Sequence, residues 1–149
     1  MRLLRRIVPG QGFAPVPLRV IMGLAFIVHG YPKITHLTLT AHNFGQRGFV
    51  PGLFWGPLVA IVECVGGACL VVGLFTRFWS AAIAVEMVVT TLAVKLPRGV
   101  PFVAGAGQGS AYELDLIYLA VALALVALGG GMLSLDRGLA RSSHLRPVA

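Results

Sequence analysis

Hydrophobic positions in this chain do not alternate with polar ones; they run on. Four apolar stretches, about 17–34, 56–75, 78–96 and 111–131, are separated by short polar or Gly/Pro-rich segments. Crossing a bilayer takes about 20 helical residues at 1.5 Å rise each, and backbone groups in lipid must bond within their own segment. A membrane β-barrel would show strict alternation instead. The pattern therefore predicts an all-α protein, a transmembrane antiparallel four-helix bundle forming a single membrane domain over residues 1–149.

The connections refine this picture. Pro15 and Pro17 suit the entry to the first helix, where a missing N–H is harmless, and Pro32 should end or kink that helix at Tyr31. The segment Thr35 to Leu53 carries His36, His42, Asn43, Gln46 and Arg47, too polar to span. It reads as an outer excursion, partly helical, covering the mouth of the bundle. Little more than Thr76 and Arg77 joins the second and third spans, which makes them antiparallel neighbours. Trp55 and Trp79 stand at the ends of those spans, as interfacial aromatics do. Small residues recur every four positions at Gly56, Ala60, Cys64 and Ala68, and again at Ala82, Glu86 and Thr90, stripes that let helices approach closely in lipid.

Composition agrees: 57% of the 149 residues are hydrophobic and 11% charged, with a mean hydropathy of +0.87. The formal charge of +7 needs no nucleic acid to explain it. If the termini share one side, that side holds Arg2, Arg5, Arg6, Arg19, Arg77, Arg137, Arg141 and Arg146, against Lys33, Arg47, Lys95 and Arg98 on the other. Eight against four places both termini in the cytoplasm by the positive-inside rule. Met1 to Val8 has the basic start of a signal sequence, but Pro9, Gly10 and Gly12 interrupt it and no small-x-small cleavage site follows the next apolar run, so the first span reads as an uncleaved signal anchor; Leu3, Leu4, Ile7 and Val8 can lie on anionic lipid. Cys64 and Cys69 point to helix faces about 140° apart, so they cannot pair with each other.

Charged groups inside the apolar stretches carry the chemistry, since each costs roughly 2.5 to 3.5 kcal/mol or more there unless it has a partner or a purpose. By topology His29, Lys33, Glu63, Glu113 and Asp115 fall in the outer half of the membrane, from three helices, and Glu86 lies near mid-depth. Mutual pairing in one polar cluster is the cheapest arrangement. Structural alternatives stand beside it. Ser110 to Glu113 fits a capping box, Asp115 suits the positive end of its helix, Lys33 can snorkel, and Arg19 can snorkel or pair with Asp136. Glu63 shares a face with Gly67, a notch for a partner helix or a ligand headgroup. His29 is a natural proton exchanger for a redox ligand. His36 and His42 lack companion ligands for a metal, and no nucleotide fingerprint, haem pair or nucleophilic triad stands out, so no intrinsic cofactor, metal or catalytic residue is assigned.

In order along the chain, Arg19, then His29-Gly30-Tyr31-Pro32-Lys33, Glu63-Cys64-Val65-Gly66-Gly67, Gly73-Leu74-Phe75-Thr76-Arg77, Glu113, and Gly131-Met132-Leu133-Ser134-Leu135-Asp136 resemble the DoxX family of small bacterial four-helix membrane proteins. The resemblance implies four spans in the bacterial cytoplasmic membrane and an association with redox systems, whose relatives include a subunit of thiosulfate:quinone oxidoreductase and partners of superoxide-detoxifying and sulfur-transferase proteins. Arg19, Gly66, Gly67, Arg77 and Asp136 are read as structural charge and packing positions. The leading expectation is a membrane subunit that anchors or serves a quinone- or thiol-linked redox complex, a quinone headgroup meeting the cluster of His29, Lys33, Glu63, Glu86 and Glu113, with the bilayer and other redox proteins as partners. The alternative is a non-catalytic assembly subunit, and a small proton-coupled transporter is third.

Overall fold

The computed structural model describes residues 12–105, 109 and 111–143. Among them every regular element is helical: α1 (Pro15–Thr35), α2 (Leu37–Gln46), α3 (Gly52–Val72), α4 (Thr76–Arg98), α5 (Glu113–Leu128) and α6 (Leu135–Ser143). The basic segment Met1 to Val8, with Arg2, Arg5 and Arg6, and also Ser110 and Arg146 lie outside the described residues, as does the side chain of Arg141.

α1, α3, α4 and α5 pack side by side around Met22, Phe26, Leu70, Ile83, Ala84, Met87, Ala122 and Leu125, all buried. α3 and α4 are long and apolar enough to cross a bilayer. The other two expected spans fall short of that standard. α5 has 16 residues, about 24 Å against roughly 30 Å of hydrocarbon, and α1 has the length but includes Arg19, His29 and Lys33.

Several boundaries differ from expectation. α1 does not end at Tyr31 but runs through Pro32 to Thr35, a tolerance that membrane helices show where neighbours compensate the lost backbone bond. α3 starts at Gly52 rather than 56 and stops at Val72, because Gly73 takes a left-handed conformation (φ 74°) that turns the chain directly into α4. The N-cap of α5 is Tyr112, without a side-chain bond, which makes Glu113 the first helical residue; Ser110, the other member of the expected capping box, lies outside the described residues. Both α3 and α4 contain a π-helical turn, Val62–Gly66 and Thr90–Lys95, a feature hydropathy does not report.

Glycines set the close contacts. A Cβ on Gly23 would stand 2.6 Å from the Gly67 carbonyl, and one on Gly30 would stand 2.7 Å from the Cys64 nitrogen, so α1 lies directly on α3. That seam uses Gly67 rather than the exposed Ala68, since at about 100° per residue a strict four-residue stripe drifts off the contact face. Gly56 instead receives Ala41 of α2. Trp79 is not an interfacial anchor: its ring covers Gly66 and its Nε1 is buried.

Candidate functional site

The helix ends define two poles. The lower pole holds the α3–α4 turn and the segment between α5 and α6; the upper pole holds the end of α1, α2, the start of α3, the end of α4 and the start of α5.

At the lower pole three of the motifs carrying the family resemblance converge: Arg19, Gly73 to Arg77 and Gly131 to Asp136. Arg19, 2% exposed, donates from Nε to the Gly130 carbonyl (3.0 Å) and from its terminal nitrogens to the carbonyls of Leu70 (3.0 Å), Val71 and Leu133 (both 2.5 Å). It thereby satisfies the orphan carbonyls at the end of α3 and ties them to the chain beyond α5. Arg19 therefore neither snorkels nor pairs with Asp136. Asp136 is engaged elsewhere: its two oxygens accept the backbone N–H groups of Phe75 (2.7 Å) and Thr76 (2.9 Å), capping α4 from a distant segment. Arg77 reaches the Ala127 carbonyl at the end of α5 (3.3 Å).

At the upper pole the same helices leave a cavity of about 540 Å³. Each contributes one face. α1 presents Phe26, His29 and Lys33; α3 presents Trp55, Leu58, Val59, Val62 and Glu63; α4 presents Ala82, Val85, Glu86, Val89, Thr90 and Lys95; and α5 presents Leu114, Asp115 and Tyr118. The spacings of three, four, seven and eight residues are those of one helix stripe. Phe44, Arg47 and Phe49, at and after the end of α2, form the roof, where Phe44–Phe49 and Phe49–Trp55 ring centroids are 5.7 and 6.3 Å apart. The excursion between α1 and α3 thus covers the mouth.

Two ion pairs line the walls, each joining two helices. Lys33 of α1 binds both oxygens of Glu63 on α3, and does not snorkel. Lys95 of α4 binds Asp115 of α5 at 2.8 Å and the Ala111 carbonyl at 2.9 Å, while the Thr91 hydroxyl donates to the other Asp115 oxygen at 3.4 Å. Glu63 and Asp115 are 4% and 7% exposed, so these bonds are their substitute for water. Glu86 is different. Its carboxyl sits beside Glu63, within electrostatic reach of Lys33 and Asp115, yet its Oε2 is buried with no hydrogen-bond partner. Two acids there share a single lysine.

Of the five expected cluster residues, the cavity brings together His29, Lys33, Glu63 and Glu86. Glu113 is absent from its lining: two residues from Asp115 on a helix is about 200°, so when one faces inward the other faces away. Asp115 lies in the first turn of α5, as its helix-dipole reading expects, and also holds an ion pair with Lys95, a partner which that reading does not name. A usable signal existed, because opposite charges flanking one loop between antiparallel helices must lie at similar depth. His36 and His42 stay local: His36 Nδ1 is 3.2 Å from the Pro32 carbonyl and His42 Nε2 is 2.9 Å from Gln46 Nε2. Cys64 and Cys69 carry free thiols.

Known proteins resemble this chain along most of its length. The DoxX family profile matches residues 14–96, from the start of α1 to the end of α4. CatD of Bacillus subtilis, whose name assigns it provisionally to the oxidoreductases, is 33% identical over 119 residues, 80% of this chain and 81% of its own. The membrane protein Rv3486 of Mycobacterium tuberculosis is 31% identical over 130 residues, 83% of this chain and 80% of its own. A Haemophilus influenzae protein without an assigned function is 30% identical over 128 residues, 80% and 85% of the two chains. No solved structure matches. With the family profile spanning more than half the chain and these relatives covering four fifths of it, the chain belongs to the DoxX family of membrane proteins.

Proposed function

We propose that this chain is the membrane-embedded subunit of a bacterial redox system and holds a quinone headgroup in the upper cavity. In this reading the four long helices cross the cytoplasmic membrane with both termini on the cytoplasmic side, and a partner redox protein exchanges electrons with the bound ring. The chain's own residues orient the headgroup and handle its protons. The name of CatD, an oxidoreductase assignment, supports the redox direction.

One observation carries the ligand: the Glu86 oxygen that is buried and unpartnered in a cavity where the other carboxylates are matched. A buried polar atom without a bond costs about 1 to 3 kcal/mol, and a ligand hydroxyl is a group that could complete it. A reduced quinone offers such a donor, and its oxidised form offers carbonyls that Lys33, Lys95 or His29 could meet. The cavity volume, about 540 Å³, lies within the range of small-molecule sites. Its aromatic roof and aliphatic walls suit a flat ring better than a strongly hydrated ion.

The test is titration of the purified full chain in mild detergent with a short-chain quinone and its quinol. Saturable binding is expected, weakened about tenfold or more, some 1.4 kcal/mol, by Glu86→Gln and by His29→Ala. Unchanged affinity in both variants would falsify the site.

A second reading, an assembly subunit without a ligand, draws on the two ion pairs, each of which ties one helix to another. It expects no quinone binding, and loss of a neighbouring membrane protein when the chain is deleted.

A further inference from the structure

The cavity is walled differently on its four sides. α1 meets α3 backbone to backbone at Gly30 and Cys64. α1 meets α5 through Phe26 and Tyr118, whose ring centroids are 5.2 Å apart at an edge-to-face angle. α4 meets α5 along its length, closed at the top by Lys95 and Asp115. α3 and α4 pack near their shared turn, where Trp79 covers Gly66, but the upper Thr90–Lys95 segment of α4 has no comparable packing on α3.

The residues on either side of that separation are Leu58 and Val62 on α3 and Val85 and Val89 on α4. All four line the cavity, yet Leu58, Val85 and Val89 are also 40%, 64% and 38% exposed. Side chains do both where a wall is open. The rim is wholly aliphatic, which suits hydrocarbon and not water. Glu86 stands between Val85 and Val89 in the sequence and lines the same cavity.

We propose that the gap between α3 and α4 is a lateral portal to the bilayer, occupied by the hydrocarbon tail of a long-chain quinone whose headgroup sits at Glu86. This rests on the quinone reading above and narrows it: the ligand is drawn from the membrane, and its tail stays in the slot between Leu58 and Val85. A headgroup without a tail would use the roof side, where Arg47 is exposed.

The experiment uses the full chain in lipid nanodiscs with two probes, a tail-less benzoquinone and the same headgroup bearing a decyl tail. Leu58→Trp combined with Val85→Trp fills the slot from both sides, and Val85→Trp alone is the milder variant. Both positions are exposed, so the fold should tolerate the rings. The proposal expects at least a tenfold loss of affinity for the tailed probe in the double variant, a smaller loss in the single one, and in both variants a clearly smaller loss for the tail-less probe than for the tailed one, with the melting curve reporting that the protein is folded. Wild-type affinity for the tailed probe in the double variant would overturn the portal while leaving the quinone site standing. Equal loss of both probes in protein that melts normally would also overturn it, by placing the slot within the headgroup pocket. If wild-type protein binds neither probe, the portal falls together with the quinone reading.

Discussion

The two poles of this molecule use the same four helices to opposite ends. Below, Arg19 and Asp136 convert loose backbone groups into bonds: four carbonyls are gathered by one guanidinium, and two N–H groups by one carboxylate. Above, charged side chains bond one another across a cavity, and one carboxyl oxygen is left over. Burial is similar at both poles, so burial alone does not identify a site. What separates their charged groups is satisfaction, for Thr76 Oγ1 and Ser80 Oγ, buried without a partner near the lower turn, are neutral hydroxyls. A fully matched polar group adds rigidity, whereas an unmatched one keeps a bond in reserve for something else.

If that contrast is right, the largest effect belongs to the lower pole. Arg19→Met strands carbonyls at the end of α3 and beyond α5, and should cost about 3 kcal/mol or more, read as a large drop in the thermal midpoint in detergent and in yield. Arg19→Lys should recover only part of this, since a single ammonium cannot span the two segments that a guanidinium fork reaches.

Next comes the upper ion pair. Lys33→Met leaves Glu63 buried beside Glu86 with no cation, and should cost about 2 to 3 kcal/mol; adding Glu63→Gln should restore most of it. A double variant as unstable as the sum of the single ones would mean that the pair is not the unit described.

Asp136→Asn keeps an acceptor for the start of α4 but removes the charge, so a loss of about 1 kcal/mol is expected. Glu86→Gln is placed last. It should leave the melting temperature unchanged or slightly raised, because Oε2 has no bond to lose and the amide can keep the hydrogen bond with Glu63, while ligand affinity falls. A melting loss as large as that of Lys33→Met would move Glu86 into the matched class and erase the difference between the poles.

Much of this was legible in the sequence, and the reason is depth. His29, Lys33, Glu63 and Glu86 sit within long apolar runs, so their cost in lipid announces them and the helix order brings them to similar levels. Rotation about the helix axis was less legible. Glu113 and Asp115 share a depth but not a face, and nothing local in Tyr112 to Leu116 says which of them turns inward. The role of Arg19 was hidden for another reason. Its partners are backbone carbonyls of Leu70, Val71, Gly130 and Leu133, which carry no side-chain signature and meet only after three segments have folded. The π-helical turns at Val62–Gly66 and Thr90–Lys95 are likewise products of packing.

The most direct measurement is photolabelling of the native protein in its own membranes with a quinone carrying a small photoreactive group on the ring, followed by peptide mapping. Labels confined to the stretches 58–63 and 85–90, and displaced by excess unlabelled quinone, are the expected result. Labelling spread over the lipid-facing residues, or centred on the Arg19 pole and indifferent to competitor, would contradict the assignment of the upper cavity as the place where this protein meets its ligand.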